Sequence, residues 1–218
     1  KFLEVAFKVK KMFPSVEILI IDDGSKIEKL NFRDFKDYKY IKLPDNYGLG
    51  VCTHIALDYM IKCEYDILVR LDADGQHPIK KIRDLITPIQ ENMADIVVGC
   101  RKNHYKQNFN LLKNIIKIYY NFVSRIITNG KAPKDINSGF FAINTKAALH
   151  LEERRLERYP EPEIYIYLCM KNLIMKQIFI NQKPRILKKS TIGFINGLQM
   201  FYRFNIYILT ELIKMRRQ

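Results

Sequence analysis

Arg70-Leu71-Asp72-Ala73-Asp74-Gly75-Gln76-His77-Pro78 is the stretch from which the rest of the chain can be read. Before it lies a short apolar run, Asp66 to Leu71, of the kind that forms a strand buried on both faces. After it, Pro78 suits the first turn of a helix, and Ile79, Ile82, Leu85, Ile86 and Ile89 then recur at helical spacing. Asp72 and Asp74 therefore sit one residue apart where a buried strand ends. Like charges this close raise each other's pKa unless something cationic lies beside them. A divalent ion removes that cost. Hard cations such as Mg²⁺ take oxygen ligands and keep phosphate oxygens in their shell, so Asp72, Asp74 and the amide oxygen of Gln76 form a candidate site for a metal held against a diphosphate. Taken alone, a short Asp-x-Asp favours the plainer reading, in which Asp72 and Asp74 form turns and cap the helix at Pro78.

Working outward, Val16 to Ile21 and Ile96 to Gly99 are further short apolar runs that end in polar or glycine turns, with helical patterns between them. Strand and helix alternating at these lengths predict an α/β fold with a mostly parallel sheet flanked by helices. Ligands of such sheets bind beyond the carboxyl ends of the strands. The chain has 218 residues, 48% of them hydrophobic, enough for one domain or a domain with a short appendage. Its formal charge of +14 favours nucleic acid, anionic lipid or phosphorylated small molecules as partners. Cys52, Cys63, Cys100 and Cys169 form no CxxC pair, which argues against a zinc site or a disulfide framework and for a reduced, cytoplasmic protein. Internal repeats and Gly/Ser-rich linkers are absent.

Further stretches join the first one. Asp22-Asp23-Gly24-Ser25, then Asn46-Tyr47-Gly48-Leu49-Gly50, then the Asp72–Pro78 stretch, then Ala94-Asp95-Ile96-Val97-Val98-Gly99-Cys100-Arg101, follow one another in order. In the second half come Asp135-Ile136-Asn137-Ser138-Gly139-Phe140-Phe141 and Tyr159-Pro160-Glu161-Pro162-Glu163. In order and spacing this set resembles the family-two glycosyltransferases of the GT-A fold, a Rossmann-like architecture, and most of all their dolichyl-phosphate-mannose-synthase-like branch. The likeness runs from about Val16 to Ile192.

The resemblance implies a role for each matching position. Asp22 and Asp23 would face the base and ribose of a nucleotide-sugar donor, with Asn46, Gly48 and Gly50 beside them. Asp72, Ala73, Asp74 and Gln76 match the metal and diphosphate motif, for Mg²⁺ or Mn²⁺. Ser138 and Gly139 match the loop near the donor sugar and the acceptor, and Glu161 lies in the acceptor-side motif. Arg185 and Lys189 match a basic segment that contacts phosphate. The implied activity is inverting transfer of a sugar to a polyprenyl phosphate or a glycan, in polysaccharide or glycolipid biosynthesis. A phosphate acceptor is already an anionic nucleophile. A hydroxyl acceptor needs a base, for which Glu161, Glu163 and Asp135 are the candidates. Against the family pattern, the opening strand is missing: the sequence starts at Lys1-Phe2-Leu3 without an initiator Met, already in a helical pattern with Phe2, Val5, Ala6 and Val9 on one face. A catalytically silent sugar-nucleotide- or lipid-binding protein is the competing reading.

The remaining features fit neither a dehydrogenase nor a P-loop protein. Gly48-x-Gly50 lacks the third glycine of a dinucleotide fingerprint, and no Walker lysine follows a glycine-rich loop. His77 suits a helix entry better than a metal ligand. The Tyr and Phe residues scatter through helical patterns and form no RNA-binding motif, so nucleic acid is not expected. From Leu111 to Ile127, Leu111, Leu112, Ile115, Ile116, Tyr119, Phe122, Val123, Ile126 and Ile127 form one broad apolar face, which either covers the sheet or lies in a membrane interface. Ile192 to Met215 is apolar and aromatic but interrupted by Gln199, Arg203, Asn205 and Glu211, which favours an interfacial helix over a spanning one. Lys188, Lys189, Arg203, Lys214, Arg216 and Arg217 bracket it, as attraction to an anionic membrane surface requires. The sequence thus predicts a catalytic domain over 1–192 and an interfacial tail over 193–218, peripheral at the cytoplasmic face of a membrane. There is no secretory segment at the start, so export is not expected.

Overall fold

The first helix, α1 (Phe2–Met12), forms where Val5, Ala6 and Val9 share one face, and those three side chains are buried. The structure, a computed structural model, describes residues 2–26, 37–102, 111–182 and 194–215, with the backbone alone at 111–113, 194–198 and 215. After α1 come β1 (Leu19–Asp22), β2 (Lys39–Lys42), α2 (Leu49–Lys62) and β3 (Ile67–Arg70). A short 3₁₀ turn at Ile79–Lys81 leads into α3 (Ile82–Gln90), followed by β4 (Ile96–Arg101), α4 (Leu111–Ile127), β5 (Phe141–Asn144) and α5 (Thr145–Glu152). The chain closes with α6 (Glu161–Met170), β6 (Met175–Ile180) and α7 (Phe194–Met215). Pro78 lies just outside the helix it was expected to open, in extended conformation with ψ 98°, and the 3₁₀ turn intervenes. Ile82, Leu85 and Ile89 of α3 are buried as the periodicity predicts.

Among the described strands all but one follow the parallel arrangement that the sequence predicts, and the exception is β5. β1 and β2 pair in parallel as a separate ribbon. The larger sheet has the order β3-β5-β4-β6, in which β5 is antiparallel to both neighbours and β4 and β6 are parallel. The cause is where β5 inserts. β3 and β4 run in the same direction, joined through α3 as a crossover pair should be, but α4 and the loop after it bring Phe141–Asn144 back between them from the opposite end. β4 is buried throughout Ile96–Cys100, and it is the central strand of the described core.

Helices cover both faces of this sheet. On one, Val9, Leu85, Ile89, Val97, Phe140 and Ala142 form a core cluster between α1, α3 and the strands. On the other, a larger cluster joins α2, α4, α5, α6 and α7, and includes Phe204, Tyr207 and Ile208. The segment expected as a tail thus contributes to the core. It does so through an aromatic seam with α4, where the Tyr120 and Phe204 rings stack at 4.1 Å and Tyr119 meets Phe201 at 5.2 Å. The broad apolar face predicted for α4 is divided. Ile116, Tyr119, Val123 and Ile127 pack toward the core, whereas Ile115, Phe122 and Ile126, with Ile118, are exposed. The division arises because α4 buries polar side chains: Asn121 accepts from the Ile136 amide at 3.1 Å, fixing the loop that leads to β5. Among the described residues no helix is long and apolar enough to cross a membrane.

Candidate active site

The carboxyl ends of β1 and β3 each release an aspartate pair into a turn, and the two turns are built differently. In the first, Asp22 accepts from the Ser25 amide and from the Tyr40 hydroxyl, both at 2.8 Å. Burial works against its charge, but these hydrogen bonds and Lys42 outweigh it and hold its pKa below the ordinary value. Asp23 accepts from the backbone amides of Tyr47 (2.7 Å) and Gly48 (2.9 Å), so its carboxylate fastens the Asn46–Gly50 loop to the end of β1. Asn46 donates to the Asp23 carbonyl and accepts from Arg158. The glycines of this loop are required by a close approach. A Cβ on Gly48, whose φ is +94°, would meet Arg158 Cγ at 2.4 Å, and one on Gly50 would meet the Glu157 carbonyl at 2.0 Å.

In the second turn, Asp74 accepts from the Gln76 amide at 2.9 Å, the local geometry expected of an aspartate turn. The Asp72 amide donates to His77 Nδ1 at 3.0 Å. His77 Nε2 therefore carries the proton, 3.9 Å from Asp72 Oδ2. Burial pushes the His77 pKa down, so the imidazole is neutral at pH 7 and the contact is not an ion pair. Its ring stacks on Phe140 at 4.9 Å, which makes it the buried pin of the turn, in agreement with the helix-entry reading. Gln76 Oε1 accepts from Gln182 at 3.4 Å, tying the turn to the end of β6.

Below the turns lies a tier of buried charge. Arg70 donates to Glu161 at 2.7 Å and to Thr53 at 3.3 Å, with its guanidinium 5.6 Å from the Phe141 ring centre. Burial opposes the Arg70 charge, but Glu161 and Asp72 keep it protonated. Arg101 grips Asp135 through two side-chain bonds, of 2.5 and 2.7 Å, and through its own amide at 3.2 Å. The Asp135–Phe140 loop brings Ser138 and Gly139 to the same place: Ser138 Oγ donates to the Gly99 carbonyl at 2.6 Å. A Cβ on Gly139 would stand 3.2 Å from Asp72 Oδ1 and 3.7 Å from Arg70.

The structure thus brings together Asp72, Ser138, Gly139, Glu161 and, beside them, Asp74 and Gln76, and it places Asp22, Asp23, Asn46, Gly48 and Gly50 around the β1 end. It separates Glu163 from this group. Glu163 Oε2 accepts from the Glu157 amide at 3.4 Å and its carbonyl accepts from Tyr207 of α7; burial, with the Glu157 charge nearby, pushes its pKa up to about 7 against the opposing pull of Arg154 and Arg203. Asp135, fully buried and held by Arg101, is a strut of the loop. Arg185 and Lys189 lie outside the described residues. Arg70 and Arg101 were in the quoted motifs without roles. The signal was there, since an arginine ending an apolar strand must find a buried partner.

Both carboxylates of the second turn offer oxygen donors, and the strand end leaves Asp72 43% exposed at its side chain, open to a ligand. That donor set fits Mg²⁺ or Mn²⁺, which are held by one or two carboxylates together with substrate phosphates. No cluster of three or more His, Cys, Asp or Glu suited to an all-protein metal cage exists among the described residues.

Comparison with known proteins agrees with this geometry. The profile of the family described as glycosyl transferase family 2 matches residues 1–151. The chain is 27% identical over 220 residues to a UDP-N-acetylglucosamine–dolichyl-phosphate N-acetylglucosaminyltransferase of Methanococcus voltae, covering 91% of this chain and 85% of that one. It is 27% identical over 201 residues to a dolichyl-phosphate beta-glucosyltransferase of Dictyostelium discoideum, covering 83% and 59%. Among solved structures it is similar to glucosyl-3-phosphoglycerate synthase from Mycobacterium tuberculosis in complex with Mn²⁺, UDP and phosphoglyceric acid. There the TM-score is 0.68 at 13% identity, with 96% of this chain and 72% of that one covered. This last likeness is one of fold, and it agrees with the GT-A architecture expected from the motifs.

Proposed function

Because this chain belongs to glycosyl transferase family 2, we propose that it transfers a sugar, with inversion, from a nucleoside-diphosphate donor to a polyprenyl phosphate. The observation that carries the choice of acceptor is the state of the three candidate bases. Glu161 is engaged by Arg70, Asp135 is gripped by Arg101, and the Glu163 carboxylate accepts from the Glu157 amide. None is set to take a proton from a hydroxyl, whereas a phosphate oxygen attacks without a base. The dolichyl-phosphate acceptors named for the two relatives support the same reading.

In this reading Asp22, Asp23 and the Asn46–Gly50 loop seat the nucleoside. Asp72 and Asp74 would hold Mg²⁺ or Mn²⁺, which supplies charge neutralisation for the departing diphosphate. Gly139 keeps the space beside Asp72 open for the sugar. Arg70 and Arg101, buried at the strand ends and paired with Glu161 and Asp135, hold the floor of the site in place. An acceptor phosphate oxygen bonds to the anomeric carbon as the carbon–oxygen bond to the diphosphate breaks, and that electron pair leaves with the nucleoside diphosphate.

The exposed apolar stripes support a place at a membrane surface. Ile115, Ile118, Phe122 and Ile126 of α4 and Tyr202, Ile206, Leu209 and Ile213 of α7 face outward, with Phe122 64% and Tyr202 67% exposed. Lying side by side, the two helices form a surface suited to a bilayer interface at the cytoplasmic face, where a lipid-borne phosphate is presented. The helix α7 then serves both as part of the core, through Phe204, Tyr207 and Ile208, and as the interfacial element.

The test is incubation with labelled sugar nucleotides, polyprenyl phosphate and Mg²⁺ or Mn²⁺, followed by extraction of lipid-soluble label. Label in the lipid phase, absent with Asp72→Asn, supports transfer. Donor binding without transfer to any acceptor would instead mean a silent binding protein.

A further inference from the structure

A second cleft, of about 750 Å³, opens far from the strand ends. It lies between the carboxyl ends of α4 and α6, the turn after α5, and the last turn of α7. Tyr167, Cys169 and Met170 line it, whereas Glu161 at the other end of α6 reaches the Arg70 site, about 15 Å away at helical rise. Five cationic side chains line the cleft, Lys131, Arg154, Arg155, Lys171 and Lys214, against two carboxylates, Glu153 and Glu211.

Arg154 anchors this cluster. Its guanidinium lies 4.2 Å from the Tyr167 ring centre and 5.5 Å from that of Tyr207, and it donates to Glu211 at 2.8 Å. Buried Glu211 is shared with Lys214 at 3.1 Å, so one carboxylate serves two cations. None of the described ion pairs joins Lys131, Arg155 or Lys171 to a carboxylate. Lys131 meets only the amide oxygen of Asn172, at 3.3 Å, and Lys171 stands 5.7 Å from the Tyr167 ring. A stacked, partly buried guanidinium flanked by exposed ammonium groups is the chemistry that recognises a phosphate. The volume exceeds that of a bare phosphate and admits a phosphorylated headgroup.

We propose that this cleft is a second anion site, which takes a phosphate group and is separate from the donor site. It stands independently of the transfer reaction. Two sources share the chemistry, a lipid headgroup and a soluble phosphate. The surroundings favour the first, because Ile126, Leu212 and Ile213, adjacent to the lining residues Ile127, Glu211 and Lys214, are exposed and continue the apolar stripes of α4 and α7.

The double variant Lys131→Ala/Lys171→Ala tests it, since both side chains are exposed and the fold does not depend on them. Its control is Lys8→Ala/Lys62→Ala, which removes the same charge from α1 and α2. Two probes are used at low salt: inorganic phosphate by calorimetry, and sedimentation with vesicles of phosphatidylcholine alone or mixed equally with phosphatidylglycerol. The cleft variant should lose roughly 30-fold in partition to the mixed vesicles, as expected for removal of two interfacial cations, and the control should lose far less. It should also lose phosphate binding while keeping donor binding. Loss with both probes assigns the headgroup, and loss with inorganic phosphate alone assigns a soluble phosphate. Equal losses in cleft variant and control, no loss with either probe, or joint loss of donor binding would overturn the proposal.

Discussion

The rim of the strand ends and the tier beneath it use carboxylates in opposite ways. On the rim, Asp23 accepts from the Tyr47 amide and Asp74 from the Gln76 amide, bonds that orient a carboxylate toward the strand ends. In the tier, Glu161 and Asp135 are each met by an arginine, so their charge is cancelled and their geometry locked. The difference teaches which acids are available for chemistry. A site that must attract a cation sets its carboxylates where a ligand can reach them, and a site that must hold a loop buries the charge against a guanidinium. Glu163 belongs to neither class: it is buried without a dedicated partner and is therefore the acid whose protonation responds to pH.

The largest effect should come from the tier. Asp135→Ala leaves Arg101 buried without its counter-charge, which should cost about 3–5 kcal/mol of stability in urea unfolding. A loss below about 1 kcal/mol would show that the pair is not a strut. Next, Glu161→Gln should lower stability by about 1.5–3 kcal/mol, the worth of a hydrogen bond to a charged group. Transfer should fall by the same factor with phosphate and hydroxyl acceptors, because Glu161 positions the floor through Arg70. Selective loss with a hydroxyl acceptor would restore it as a base.

Glu163 sharpens the comparison through pH. Its folded pKa of about 7 lies above the unfolded value near 4.5, so the folded state binds more protons between the two. Its contribution is fully present below the unfolded value and lost as pH rises through 7. Glu163→Gln should therefore stabilise the protein at pH 8 by about 1–2 kcal/mol relative to pH 5. A mutational difference that is flat across this range would contradict the burial of a carboxyl that lacks a cationic partner.

Much of this arrangement was legible in the sequence, and the gaps have physical causes. The bounds of α4 and the buried faces of α1 and α3 follow from periodicity, because each helix is read from its own residues. The aspartate turns were found because glycine and aspartate after a short apolar run leave few alternatives. β5 was not found. Phe141-Ala142-Ile143-Asn144 looks like the continuation of a motif, and only the topology places it between β3 and β4. β2 and β6 carry Lys39, Lys42, Lys176 and Gln177, which break an apolar run on strands with exposed positions. Glu161 and Glu163 look equivalent as letters. On a helix, two residues apart means opposite sides, so one carboxylate meets Arg70 and the other the Glu157 amide.

The smallest change in stability belongs to the rim, and it carries the most direct test. Asp74→Asn is nearly isosteric, keeps an oxygen for the Gln76 amide, and should alter stability by less than about 0.5 kcal/mol. The decisive measurement is calorimetric titration of a sugar nucleotide, with and without Mn²⁺, into the wild-type protein and Asp74→Asn. Mn²⁺ should tighten donor binding to the wild type, and Asp74→Asn should lose that increment, at least about tenfold, while folding normally. Binding of equal strength in both proteins, indifferent to Mn²⁺, would contradict the metal-bridged donor site and return Asp72 and Asp74 to a turn and a cap.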